Sequence, residues 1–142
     1  GLISSLQDYG FLTTQRTDEA HRMPEPRRAV VATLARALAQ ADIEAEANRV
    51  RERGEGLTAA RLGQTERLGV LHADGDAVYF GLVAAVATAE GRVHDALEIG
   101  AMTLLNGRIV SYLLYGAFAG APSVEAMLAV QRQNMARLIG TN

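Results

Sequence analysis

The chain has no cysteine. That removes disulfide staples, thiolate nucleophiles and cysteine metal ligands together. It assigns no compartment, because cysteine-free chains occur in reducing and oxidising spaces alike. Lysine is absent as well, and all 14 basic residues are arginine. Neither a Schiff-base lysine nor a P-loop lysine can therefore exist. With so much alanine, the all-arginine usage reads as the codon bias of a GC-rich bacterial genome. A large excess of charge is missing too. A net charge of −2 and the lack of any basic run interleaved with aromatics argue against nucleic-acid binding. No apolar run approaches the ~20 residues that span a bilayer, so no membrane span is expected. The opening "GLISSLQDYG" lacks the basic start and apolar centre of a signal peptide. It also lacks an initiator Met, which favours an exported, trimmed periplasmic chain over a cytoplasmic one.

Motifs for group chemistry are equally scarce. The chain contains no GxSxG elbow, no GxGxxG or GxxxxGK[ST] phosphate loop and no HExxH pair. His21, His72 and His94 are its only histidines, and no two share helical metal-ligand spacing. No metal, no cofactor and no catalytic residue is assigned.

What is present is strong patterning. The 142 residues suit one domain with a real core. Residues 1–23 read as an N-terminal arm with a short strand in "YGFLTTQR", residues 9–16. Pro24 and Pro26 mark a helix entrance. From Arg27 to Arg53, Val30, Val31, Leu34, Leu38, Ala41 and Ala45 recur at three- and four-residue steps and form one apolar stripe. Gly54 and Gly56 end that helix. Three turn signals follow at regular spacing: Asp74-Gly75, Glu90-Gly91 and Asn106-Gly107. Asp-Gly and Asn-Gly favour two-residue hairpin turns. They divide residues 66–116 into a four-stranded antiparallel meander. After "GAFAGAPS", Ser123 is a good N-cap with Glu125 in the first turn. Val124, Met127, Leu128, Met135, Leu138 and Ile139 then make a second amphipathic helix. The segregated order predicts an α+β fold. Its four- to five-stranded antiparallel sheet carries the long helix and the C-terminal helix on one face.

Two-residue turns set a register: Val70 opposite Tyr79, Val83 opposite Glu98, and Glu98 opposite Tyr115. One face then carries Leu71, Val78, Phe80, Leu82, Val86, Leu97, Ile99, Ala101, Val110, Tyr112 and Leu114, the expected core. The other is mixed, with Glu66, Leu68, Val70, His72, Tyr79, Gly81, Val83, His94, Glu98, Gly100, Met102, Ser111, Leu113 and Tyr115. On it Gly81 faces Gly100, leaving a trough where a ring, a ligand or another backbone could approach. Glu66 and Glu98 stand about 10 Å apart on one row. Tyr115 is positioned to donate to Glu98. Met102, Met127 and Met135 read as packing residues. The binding candidates are therefore Glu66, Tyr79, Gly81, Glu98, Gly100, Met102 and Tyr115. The first reading is a non-enzymatic domain that associates with itself or a protein partner through this face. The second is a small-ligand pocket between the face and the loop near residues 54–66. The third is a hydrolase or isomerase using Glu98 and Tyr115.

The helix, the meander ending in "NGRIVSYLLYGAF", the Gly/Pro loop and the terminal helix together resemble the PsbP-like and Mog-like fold group over residues 24–142. The resemblance implies an accessory, protein-binding role and no catalytic residues.

Overall fold

A computed structural model describes residues 9–14, 26–54 and 65–141. The elements are β1 (Tyr9–Thr14), α1 (Arg27–Gly54), β2 (Thr65–Ala73), β3 (Val78–Ala87), β4 (Val93–Leu105), β5 (Arg108–Ala117) and α2 (Ala121–Gly140). The strands form one antiparallel sheet in the order β1-β5-β4-β3-β2. The expected α+β fold is present, with β1 as its fifth strand. Because β1 and β2 are opposite edges, the segment containing α1 carries the chain from one edge to the other.

Alternation along β4 separates two cores. Leu97, Ile99 and Ala101 point to one side and are fully buried. There α2 packs Val124, Met127, Leu128, Met135 and Leu138 against Tyr79, Val83 and Tyr112 as well. Met102 and Leu104 point to the other side, where Val30 and Leu34 of α1 pack on them and on Ile109. The helices thus cover opposite faces, and their expected packing on one face is corrected. A sheet rich in apolar residues on both sides needs cover on both. Each helix has one apolar stripe and can cover only one side.

The register follows from the turns. Asn106 and Gly107 adopt φ 50° and 74°. Both central residues of the turn are left-handed, and Leu105 pairs with Arg108 as expected. The β3–β4 connection differs. Gly91 N–H donates to Thr88 O at 3.0 Å, Thr88 N–H donates to Arg92 O at 2.8 Å, and Gly91 has φ 80°. Thr88 and Arg92 therefore flank a three-residue loop, a type I turn followed by a left-handed glycine. Glu90 lacks the ease of Asn or Gly at positive φ, so the two-residue mirror turn does not form. The loop gains a residue and the ladder slips by one. Val83 pairs with Leu97, and Glu98 pairs with Leu82.

The β2–β3 turn also departs from expectation. Asp74 Oδ1 accepts from the N–H groups of Asp76 (2.8 Å) and Ala77 (3.0 Å). Asp74 N–H donates to Ala77 O. A four-residue connection results, with Ala73 opposite Val78. Two irregularities, at Arg67/Gly69 and Val70/His72, then shift β2 against β3, so Val70 pairs with Phe80 and His72 with Tyr79.

The α2 entrance is corrected as well. The cap is Gly120 at φ 76°, with Pro122 in the first turn and no acidic residue there. Ser123 instead ties the approach: its Oγ accepts from Ala119 N–H at 2.9 Å and donates to Gly120 O at 2.6 Å.

Candidate functional site

The slip between β3 and β4 divides the expected mixed face. Residues paired across an antiparallel ladder share a side. Gly81, opposite Ile99, therefore lies on the α2 side with Tyr79 and Glu66, which pairs with Val83. Gly100, opposite Phe80, lies on the α1 side with Glu98, Met102 and Tyr115. By the same slip, Val78, Phe80, Leu82 and Val86 leave the expected core face for the α1 side, while Tyr79 and Val83 enter the α2 core. Glu66 and Glu98 are on opposite sides of the sheet and cannot act on one substrate together.

The expected trough is absent because its two glycines face opposite ways and each is covered by this chain's own side chains. A Cβ at Gly81 would meet Leu71 Cδ1 at 3.1 Å and Leu68 Cβ at 3.2 Å. A Cβ at Gly100 would meet Cζ, Cε2 and Cε1 of the Phe80 ring, the farthest at 2.7 Å. Phe80 is the ring over Gly100. Glycine here serves close cross-strand packing of an aromatic. Tyr79 is buried among Ala77, Ala101 and Met135. Burial, followed by the nearby Asp74 charge, pushes its hydroxyl pKa up to about 12.

Glu98 and Tyr115 remain together, as their β4–β5 pairing requires. The Tyr115 hydroxyl donates to the Glu98 carboxylate. Burial of the phenol, reinforced by that bond and by the carboxylate charge, pushes its pKa up to about 12. Tyr115 therefore stays neutral and is held as a donor at neutral pH. Met102, on the same side, lies under α1 with Val30 and Leu34. The cluster beneath α1 takes in the Leu104–Ile109 end of the hairpin. Toward the other end of β4, His94, Ala96 and Glu98 are half-buried on this side, with Leu113 and Tyr115 beside them on β5. Val86, opposite His94, is exposed.

Three polar positions had no role in the sequence reading. Gln131 is fully buried, and its Nε2 donates to Ile99 O (2.9 Å) and Tyr112 O (2.8 Å), tying α2 to two strands. Its signal was a polar residue standing on the α2 stripe between Leu128 and Met135. Thr103, also buried, donates to Asp76 O. His72 Nε2 lies 3.3 Å from Asp74 Oδ2. The Thr103 contact joins residues far apart in the chain and leaves no local signal, whereas His72 and Asp74 stand two apart beside the turn. Among the described residues no group of three His, Asp or Glu side chains could hold a metal. No helix among them is long and apolar enough to cross a membrane. The proposed pocket near residues 54–66, residues 1–8 and His21 lie outside the described residues, apart from the helix end and the first residues of β2. No protein-family model, no curated protein and no solved structure matches the chain.

Proposed function

We propose that this α+β domain works without catalysis, by protein association through the α1 side of β4 and β5, and that its partner is a second copy. The observation that carries the reading is the unequal cover of that side. One end lies beneath Val30 and Leu34. At the other, Val86, 37% exposed, adjoins half-buried His94, Ala96, Glu98 and Tyr115. A partly apolar sheet face gains by being covered. The β2 edge offers a poorer route. β2 is broken by two register shifts, turns at Gly69 (φ 85°) and carries Arg67 tied to Asp42 at 2.7 Å. Bulges and charges of this kind discourage edge-to-edge pairing. An accessory, protein-binding role is also what the PsbP-like and Mog-like resemblance implies.

Sedimentation velocity across a dilution series tests this. Wild type should show a concentration-dependent dimer. Val86→Asp, at an exposed position where the fold tolerates charge, should shift the dimer to at least tenfold higher concentration. A monomer at every concentration would overturn the proposal.

A further inference from the structure

The α1 side of β4 carries opposite charges at matched positions. Arg92 immediately precedes β4 and continues its alternation with His94, Ala96 and Glu98. Its backbone is tied into the hairpin by Thr88, through Thr88 N–H to Arg92 O (2.8 Å) and Arg92 N–H to Thr88 Oγ1 (3.2 Å). Its guanidinium makes no hydrogen bond or ion pair among the described residues. Glu98 is held by Tyr115 but keeps acceptor capacity, since a carboxylate can accept about four hydrogen bonds. Six residues at ~3.3 Å separate the two by roughly 20 Å, so they do not satisfy each other within one chain.

We infer that this strip is self-complementary and that the dimer is a face-to-face sheet pair, with a twofold axis passing beneath β4 at the level of Asp95 and Arg92 of each copy meeting Glu98 of the other. The inference rests on the association reading above. A twofold in the interface plane, within about 15° of the perpendicular to β4, reverses the strand and allows the usual incline between stacked sheets. It sets position 92 over position 98 and position 94 over position 96. Both charge pairs are then opposite in sign, and the His94 ring sits over the small Ala96. Stacked sheets lie about 10 Å apart with strands inclined by about 30°. At about 10 Å from the axis that incline displaces the charges sideways by roughly 5 Å, within reach of an arginine side chain. The bidentate geometry of a guanidinium suits the carboxylate that Tyr115 orients.

The test is sedimentation of charge variants at low and high salt. Arg92→Glu should raise the dimer dissociation constant at least tenfold. Adding Glu98→Arg should restore most of the loss, because the pairs re-form with signs exchanged. Circular dichroism melts establish that each variant is folded. Should Glu98→Arg fail to fold for want of the Tyr115 bond, Arg92→Gln and Glu98→Gln replace the reversal. Glutamine keeps an acceptor for Tyr115, and the double variant should then lose little more than either single one. Recovery in the reversal, or this lack of additivity, supports the reciprocal pairs. Dimerisation that Val86→Asp weakens while the charge variants leave it unchanged, or weaken it additively without recovery, overturns this geometry and leaves the association reading standing. A monomeric wild type overturns both.

Discussion

Gly100→Ala offers a sharp test of the β3–β4 register. The new Cβ would fall within contact distance of three carbons of the Phe80 ring, with Cε1 at 2.7 Å. Real Cβ atoms do not approach so closely, so the ring must leave or the strands must part. Gly100 is not among the positive-φ residues, so the conflict is with the ring and not with the backbone. Overpacking of this kind costs about 1–3 kcal/mol. In a Phe80→Ala background the ring is gone. Alanine is then the better strand residue, and Gly100→Ala should stabilise by about 0.5–1 kcal/mol. The difference between backgrounds should be about 1.5–4 kcal/mol, well above the additivity error of about 0.5 kcal/mol. Urea unfolding followed by far-ultraviolet circular dichroism measures all four proteins. Near-additive effects would mean that Phe80 does not lie over Gly100. The slipped register and the division of faces would fall with it. A leucine at position 100 should be worse still.

Ile99→Ala should cost about 2–5 kcal/mol in the same assay, since Ile99 is fully buried with Leu97 beneath α2. Gln131→Leu should lose about 1–3 kcal/mol despite similar size, because two carbonyls lose their amide donor; an unchanged urea midpoint would refute the tie. Burial by itself would raise the Asp74 pKa, but the Asp76 and Ala77 N–H groups and His72 outweigh it, leaving the carboxyl below its ordinary 3.8. A depressed folded pKa gives stability that is fully present above the ordinary 3.8 and lost as pH falls from there through the folded pKa. The acid-side fall in urea midpoint should therefore be shallower in Asp74→Asn than in wild type, and equal slopes would exclude the turn as its source. Ultraviolet titration should show Tyr115 moving from about 12 part of the way toward 10 in Glu98→Gln, because burial remains after the carboxylate is gone; no movement would mean the two side chains do not interact.

How far the fold could be read from the residues depended on how local each cause was. The α1 stripe at Val30, Val31 and Leu34 is a matter of spacing within one helix, and these residues face the core as expected. Asn106-Gly107 is equally local. Both residues accept positive φ, the turn closes in two residues, and Glu98 stands opposite Tyr115. The opposite placement of the two helices was not local. Both stripes are apolar and neither states its side. The sheet carried the information, in strands with few polar positions on either side, but that reading requires the correct register first.

Glu90-Gly91 shows why the candidate site was less legible than the fold. The dipeptide marks a turn correctly but does not state its length. A two-residue turn needs positive φ at both positions, whereas a type I turn with a trailing left-handed glycine needs it only at Gly91. The difference is one residue, and in a strand one residue exchanges the sides. It moves Tyr79, Gly81 and Glu66 to the α2 side and leaves Glu98, Gly100, Met102 and Tyr115 on the other. The same residue turns a supposed trough of facing glycines into two separate packing contacts, under Phe80 and under Leu68 and Leu71. It also sets Arg92, His94, Ala96 and Glu98 along one side of β4, clear of the α2 core. The association surface proposed here thus rests on the length of a single loop, and lengthening or shortening that loop by one residue would exchange the sides again.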